Sequence, residues 1–103
     1  MRKLTITKSE WNRRPGQDGR TYFLTLKYEA ENSKVEVNLP NTARATYSHQ
    51  LSRGATDKDW DAAVRVKVIE WAESGFLAPR LEISSAEMDH LFGEAKRRGL
   101  IVD

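Results

Sequence analysis

The stretch Arg20-Thr21-Tyr22-Phe23-Leu24-Thr25-Leu26-Lys27-Tyr28-Glu29 decides the fold. Apolar side chains stand at positions 22, 24, 26 and 28, and mostly polar ones stand between them. Because successive side chains of a strand point to opposite faces, this alternation predicts a strand with one buried and one exposed face. A sheet with one apolar face must be covered by another part of the chain.

Two further strands are predicted beside the first. Lys34–Leu39 alternates in the same way and stops before a proline, and Glu31-Asn32-Ser33 is typical of a turn that would precede it. Leu4 and Ile6 indicate a shorter strand ahead of both. Residues 1–40 are therefore predicted to form a three-stranded antiparallel meander. Its predicted core face consists of Leu4, Ile6, Tyr22, Leu24, Leu26, Tyr28, Val35, Val37 and Leu39.

The second half of the chain contains a clearly marked helix. Ser84 and Glu87 have the spacing of a capping box, which satisfies the first free N–H groups of a helix. An apolar stripe follows, formed by Met88, Leu91, Phe92 and Ala95. Gly99 is placed to end this helix after a basic last turn.

Residues 57–75 carry two conflicting signals. Thr56 can cap a helix, and an amphipathic stripe follows, formed by Trp60, Val64, Val68, Trp71 and Ala72. The run Val64–Val68, however, alternates as a strand would, and β-branched residues favour strands. We predict a helix, because the segment is long, well capped and free of Gly and Pro before its end.

The predicted fold class is α+β, with the three-stranded antiparallel meander covered on one face by two helices. A third helix is possible within 41–54, where Ala43, Tyr47 and Leu51 recur every four residues, but a polar ordered loop fits as well. The segment 100–102 could add a short edge strand or dock on the core. At 103 residues the chain is predicted to be one domain, with 1–40 forming the meander and 41–103 mainly helical.

Composition excludes several classes of protein. With 39% apolar and 31% charged residues, the chain is too apolar for disorder and too polar for a membrane protein. It has no cysteine, which excludes disulfides, thiolate metal sites and cysteine nucleophiles, and a cytoplasmic location is predicted. Residues 1–55 carry ten Lys and Arg against five Asp and Glu, whereas residues 56–103 carry seven against ten. This uneven charge indicates a patterned surface that faces a partner.

No catalytic or metal-binding signature is complete. Glu87-x-x-His90, with Glu94 on the next turn, has the spacing of carboxylate-bridged metal sites, but a second such motif is missing. Ser48 and His49 are neighbours in sequence, which does not supply the geometry of a nucleophile and its base. We therefore predict neither an enzyme nor a cofactor, although a site built from scattered residues remains a remote alternative.

The stretch WNRRPGQDGR, residues 11–20, precedes the central strand. Its Pro-Gly and Asp-Gly pairs are typical of tight turns, and no Gly-Lys-Ser/Thr follows, so it is not a nucleotide-binding loop. Arg13, Arg14 and Arg20 are predicted to cluster at the tip of a hairpin beside Trp11. That combination suits phosphate pairing with base stacking, or anchoring on a protein partner, but a solvated turn explains it too.

A second candidate surface is the outer face of the predicted sheet. Phe23 would lie there among threonines, with Lys3, Lys27 and Lys34 beside it. An aromatic side chain on a basic sheet resembles the base-stacking surface of RNA-binding sheets, though those use two or three aromatic residues. The competing interpretation places Phe23 under the 41–54 segment or the C-terminal residues.

The sequence therefore predicts a small non-enzymatic protein that occupies a surface of a larger protein or nucleoprotein complex. An accessory protein or inhibitor of nucleic-acid-handling machinery from a phage or mobile element fits this description by analogy. The alternative is direct binding of DNA or RNA through the basic hairpin and the sheet lysines. No membrane partner is predicted.

Overall fold

The computed structural model describes residues 4–13, 15–16, 18–28, 31–45, 48–75 and 80–101. Within these ranges the chain forms an α+β fold with a four-stranded sheet. In chain order the elements are β1 (Leu4–Asn12), β2 (Arg20–Tyr28), β3 (Glu31–Leu39), α1 (Asn41–Arg44), α2 (Asp57–Glu73), β4 (Arg80–Glu82), a 3-10 turn (Ser85–Glu87) and α3 (Met88–Arg97).

The sheet is mixed, which corrects the predicted three antiparallel strands. Its strand order is β1-β2-β3-β4, with the first three strands antiparallel and β4 parallel to β3. The additional strand is only three residues long, and its central residue, Leu81, pairs with Val37. So short a strand shows no alternation, and its pairing depends on a segment far away in sequence.

Strand β1 is longer than predicted because a β-bulge hides its periodicity. Ile6 pairs with Leu26 and Lys8 with Thr25, so Thr7 is the extra residue. A bulge shifts the inward and outward alternation by one position. Beyond it, Ser9 and Trp11 therefore lie on the same face of the sheet as Ile6.

The turn predicted at residues 31–33 is wrong. Glu31 pairs with Tyr28, and Asn32 and Ser33 pair with the next two residues of β2. These polar residues belong to β3, and the connection between the strands falls on residues 29–30, outside the described ranges.

Helix α2 confirms the helical prediction for the 57–75 segment. Thr56 is its N-cap, and Asp59 completes a capping box. The predicted single stripe was too narrow, because Val64, Val66 and Val68 are all fully buried. Val64 and Val66 lie about 200° apart around the axis at 3.6 residues per turn. The helix is therefore covered on two sides, which is why its valines alternate as a strand does.

Helix α3 follows its sequence signals closely. Ser84 and Glu87 form the expected capping box, and the four apolar residues of its stripe are all buried. Gly99 has a φ of 77°, and its N–H donates to the carbonyl of Lys96. The N–H of Leu100 donates to the carbonyl of Ala95, so the helix ends in a glycine cap as predicted.

The segment 41–54 resolves into one short helix and a loop. Helix α1 ends at Arg44, so the four-residue spacing of Ala43 and Leu51 does not mark one continuous helix, and Tyr47 lies outside the described residues. The Oγ of Ser48 donates to a carboxylate oxygen of Asp89 over 2.8 Å, which ties the loop to α3.

One core cluster joins the inner face of the sheet to α2 and α3. It includes Leu24, Val37, Val64 and Phe92, all at most 1% exposed, and Ile101 docks on it. The opposite face of the sheet has no helix packed on it among the described residues. None of the described helices combines the length and the apolar composition needed to cross a bilayer.

Candidate binding surfaces

Arg20 does not lie at an exposed hairpin tip, which corrects the sequence-based placement. Its side chain is only 7% exposed. The guanidinium carbon lies 3.9 Å from the ring centroid of Trp11 and 5.1 Å from that of Trp60. Its Nη1 donates to Asp57 Oδ1 over 2.9 Å. Arg20 is therefore held between two indole rings and a carboxylate. Its positive charge interacts with these groups inside the molecule.

The surroundings of Arg20 keep it protonated. Burial by itself lowers the pKa of Arg20, but the Tyr22 hydroxyl and the Asp57 carboxylate beside it outweigh burial and raise the pKa above its ordinary value. Burial also raises the pKa of Tyr22. The Tyr22 hydroxyl and Arg20 Nε are both buried and lie close enough to influence each other, but neither forms a hydrogen bond of ordinary geometry with a described residue. Burying these polar atoms costs free energy. The cluster therefore depends on the close packing of the surrounding side chains.

The arm of the loop that precedes Arg20 is fixed to the rest of the fold. Both Asp18 carboxylate oxygens accept hydrogen bonds from Asn41, one from its backbone N–H and one from its side-chain amide. Gly19 has a φ of 84°, and a Cβ at this position would lie 2.1 Å from the carbonyl oxygen of Leu39. Only glycine fits there.

A groove between β1 and α2 contains the large hydrophobic side chains that the described structure exposes. These are Trp11, which is 41% exposed, and Leu100, which is 43% exposed. We call this surface the Trp11 groove. Its lining includes Ser9, Trp11, Asp57, Lys58, Asp61 and Leu100. Two large exposed apolar side chains meeting in one groove are more informative than the same side chains scattered singly.

The carboxylates of the Trp11 groove already have partners within the chain. Asp57 accepts the hydrogen bond from Arg20. Asp61 accepts 2.8 Å bonds from the hydroxyl of Ser9 and from Nε of Arg65.

Two cations differ from these carboxylates, Lys58 in the groove lining and Arg13 directly after β1. Arg13 follows β1 and Lys58 lies on the first turn of α2, and both are exposed. Neither side chain has an ion-pair partner in the described part of the chain. The groove therefore presents apolar surface together with uncompensated positive charge.

The outer face of the sheet forms a second surface, which we call the Phe23 depression. It is lined by Lys8, Glu10, Phe23, Lys34, Glu36 and Arg80. Phe23 is half-buried there, and neither the described part of 41–54 nor Leu100–Ile101 lines the depression. Burial of Phe23 under those segments stays a prediction, because residues 46–47 and 102–103 lie outside the described ranges.

Ion pairs reduce the positive charge of the Phe23 depression. Lys8 Nζ lies 3.5 Å from Glu10 Oε1, and Arg80 Nε lies 3.7 Å from Glu36 Oε2. Lys34 is exposed beside them. The depression is therefore of mixed charge.

The predicted site residues fall on two surfaces instead of one. Trp11 and Arg20 are in contact, and Arg13 continues the chain from β1 beside them. Phe23, Lys27 and Lys34 lie on the opposite face of the sheet. Lys3 and Arg14 lie outside the described residues.

Sequence reasoning missed Lys58 and Leu100 as members of the candidate site. Lys58 lies two residues after the capping Thr56, and Leu100 directly follows the terminating Gly99. The ends of the two helices were therefore enough to explain both positions. Only their approach to β1 in the folded chain distinguishes them from ordinary helix-end residues.

The residues considered for a metal site do not converge. His90 Nε2 lies 2.9 Å from Glu70 Oε2, Glu87 pairs with Lys67, and Glu94 pairs with Arg97. Glu87 and Glu94 are therefore each committed to a lysine or arginine side chain. In the described ranges, no group of three His, Asp or Glu side chains is arranged to hold a metal ion.

Comparison of this chain with protein-family models, with curated proteins and with solved structures finds no match.

Proposed function

We propose that this protein is a non-enzymatic binding module that docks on a larger protein through the Trp11 groove. The observation that supports the proposal is the meeting of Trp11 and Leu100, each more than 40% exposed, in one groove beside α2. Tryptophan, together with arginine, is the residue type most enriched among binding hot spots. A side chain of this kind is costly to leave in water unless a partner covers it.

The rigidity of Trp11 adds to this proposal. Its ring rests on the guanidinium of Arg20, and Asp57 holds that guanidinium in place. A side chain that is already ordered loses little conformational entropy when a partner binds. Trp11 is therefore suited to act as a pre-ordered anchor.

We further propose that the partner belongs to nucleic-acid-handling machinery of a phage or mobile element, with this protein as its accessory or inhibitor. The support is the small, cysteine-free chain with a basic first half and an acidic second half. The absence of cysteine also leads us to propose a cytoplasmic location.

Direct binding of nucleic acid is the second candidate function, and the Phe23 depression is what favours it. Phe23 has the aromatic surface for base stacking, and Lys27 and Lys34 are exposed near it. Glu10 and Glu36 lie in the same depression and would repel phosphates, and Arg20 is withdrawn into the interior. The geometry therefore favours the protein partner.

Capture of a partner by two matched variants tests the docking proposal. Trp11→Thr removes the groove aromatic and Phe23→Thr removes the aromatic of the outer face, and threonine suits a strand in both cases. Tagged wild-type protein and both variants are incubated with lysate of the source organism, and captured proteins are identified and then purified. We expect Phe23→Thr to retain a partner that Trp11→Thr loses. Loss in Phe23→Thr alone contradicts the proposal.

A gel-shift series in low salt tests the second candidate. Direct binding predicts a complex with DNA or RNA whose affinity falls steeply as salt is raised, because neutralised phosphates release counterions. No complex at low salt would end the nucleic-acid proposal. A complex that Lys27→Glu plus Lys34→Glu abolishes would replace the docking proposal.

A further inference from the structure

The strand that carries Trp11 has one edge on which no described strand pairs. β1 is the first strand of the sheet, and among the described residues only β2 pairs with it. On a strand edge, alternate residues direct their N–H and C=O groups outward, where an added strand can bind them. The bulge at Thr7 interrupts β1, so the regular part of this edge runs from Lys8 to Asn12.

The side chains next to this edge define what an added strand would carry. Trp11 and Leu100 offer apolar contact, which favours a large apolar side chain in the partner. The groove's own carboxylates are occupied, Asp57 by Arg20 and Asp61 by Ser9 and Arg65. Unsatisfied charge in the described groove is therefore positive.

Two exposed cations lie along the path of an added strand. Lys58 lines the groove from the first turn of α2, and Arg13 follows the edge strand directly in sequence. A segment lying along Lys8–Asn12 would run beside the groove that contains Lys58 and reach the end of β1, where Arg13 follows. Carboxylates on the segment would complement them, whereas lysines or arginines would be repelled.

We propose that the edge of β1 binds an extended, acidic segment of a partner protein, which adds a fifth strand to the sheet and inserts an apolar side chain between Trp11 and Leu100. This mode, strand addition, takes affinity from backbone hydrogen bonds and specificity from side chains. The inference rests on the proposed docking function and names the chemistry of its partner.

A second copy of this chain is a weaker occupant of the same edge. Strand pairing about a two-fold axis through Lys8 would place the two Lys8 side chains opposite each other, which is unfavourable. A two-fold axis through Ser9 would leave Arg13 and Lys58 without added carboxylates. Charge therefore favours an acidic segment from another protein.

A displayed library of random linear peptides, selected against the full chain, tests the inference. We expect enriched peptides to combine Asp or Glu with one large apolar residue. The double variant Arg13→Glu plus Lys58→Glu should select Lys and Arg instead. Its matched control, Lys27→Glu plus Lys34→Glu on the outer face, should select the same peptides as the wild type.

Synthetic forms of the best peptide test strand addition itself. N-methylation at alternate residues in one register should reduce affinity by about thirtyfold or more, whereas methylation in the other register should change it little, since only one register faces β1. Trp11→Thr should reduce affinity by a similar factor. Circular dichroism confirms that each variant is folded.

Three results of the peptide experiments would overturn the inference. These are enrichment of the same acidic peptides by the charge-reversed variant, equal tolerance of methylation in both registers, and no enriched class of peptide. Self-association that Trp11→Thr abolishes would assign the edge to a second copy and overturn it too. If lysate capture still depends on Trp11 in any of these cases, the docking function stands and only the strand-addition chemistry fails.

Discussion

The two arms of the loop between β1 and β2 both contain arginine. One arm is packed against the rest of the fold, whereas the other is exposed to solvent. On the arm that enters β2, Gly19 is packed against Leu39, and Arg20 is buried between two tryptophans. On the arm that leaves β1, Arg13 is exposed. Arg20 has a structural role because Trp60 and Asp57 of α2 contact it. An arginine that no distant part of the chain contacts remains available for binding.

The largest expected difference between the arms concerns their glycines. Gly16 and Gly19 both have positive φ, but a Cβ at Gly16 meets no atom within 4 Å. We expect Gly16→Ala to reduce the free energy of unfolding by about 1 kcal/mol, the cost of a left-handed conformation. Gly19→Ala should reduce it by more than about 3 kcal/mol, because it adds a clash with the backbone of Leu39. Urea denaturation of both variants measures the difference, and equal values would show that Gly19 is not confined.

The next largest difference in stability is expected between substitutions of Arg20 and Arg13. We expect Arg20→Ala to reduce the free energy of unfolding by about 2 to 3 kcal/mol, because it removes contacts with two indole rings and leaves a void beside them. Arg13→Ala should change it by less than about 0.5 kcal/mol, as for other exposed positions. Thermal unfolding followed by circular dichroism compares them. Similar values for the two variants would contradict the burial of Arg20.

Acid should destabilise the N-terminal capping box of α2, the helix whose Asp57 binds Arg20. The Arg53 guanidinium, helped by the backbone and hydroxyl of Thr56, lowers the pKa of Asp59 although burial opposes this. A carboxylate whose pKa is lower in the folded state stabilises the fold above its unfolded value of about 4 and loses this effect as pH falls through the folded pKa. The wild type should therefore lose stability below about pH 4.

Asp59→Asn isolates that contribution. At neutral pH we expect it to cost about 2 kcal/mol, because Arg53 loses its charged partner while the asparagine oxygen can still accept the Thr56 N–H of the capping box. Its stability should also fall less steeply than that of the wild type on acidification. Urea denaturation at neutral and acid pH measures both effects. Parallel pH curves for the two proteins would assign the acid sensitivity to other carboxylates.

Much of the fold could be predicted because local signals agreed with tertiary packing. The alternation of β2 and the capping box of α3 each indicated one element and one buried face, and both are confirmed. β4 could not be found this way, because three residues such as Arg80–Glu82 show no period and form a strand only beside β3. The bulge at Thr7 likewise made a nine-residue strand look short.

The candidate site was predictable in part only. Trp11 does not continue the alternation that Leu4 and Ile6 begin, and the bulge at Thr7 explains why it nevertheless lies on the same face of the sheet. Arg20 was misplaced because nothing local announces Trp60, which stands forty residues later in the sequence. Asp57, Asp59 and Asp61 fit the positive end of a helix by their position alone, and the sequence does not show that each has a specific partner.

The smallest stability effect is expected from charge reversals on the exposed residues. Arg13→Glu and Lys34→Glu should each change the free energy of unfolding by less than about 0.5 kcal/mol. Their effects on partner binding should nevertheless differ, because Arg13 directly follows the strand that carries Trp11, whereas Lys34 lines the Phe23 depression. Isothermal titration with the captured partner compares the two, and equal losses would show that the groove is not the contact surface.

The most direct test of the account follows the three indole N–H signals by NMR as the purified partner is added. Trp11 lies in the proposed contact, whereas Trp71 lies further along α2, more than one turn beyond Arg65. We predict that the Trp11 signal shifts or broadens in proportion to complex formed and that the Trp71 signal stays in place. An unchanged Trp11 signal, with shifts confined to the backbone amides of Phe23 and its neighbours, would contradict docking through the Trp11 groove.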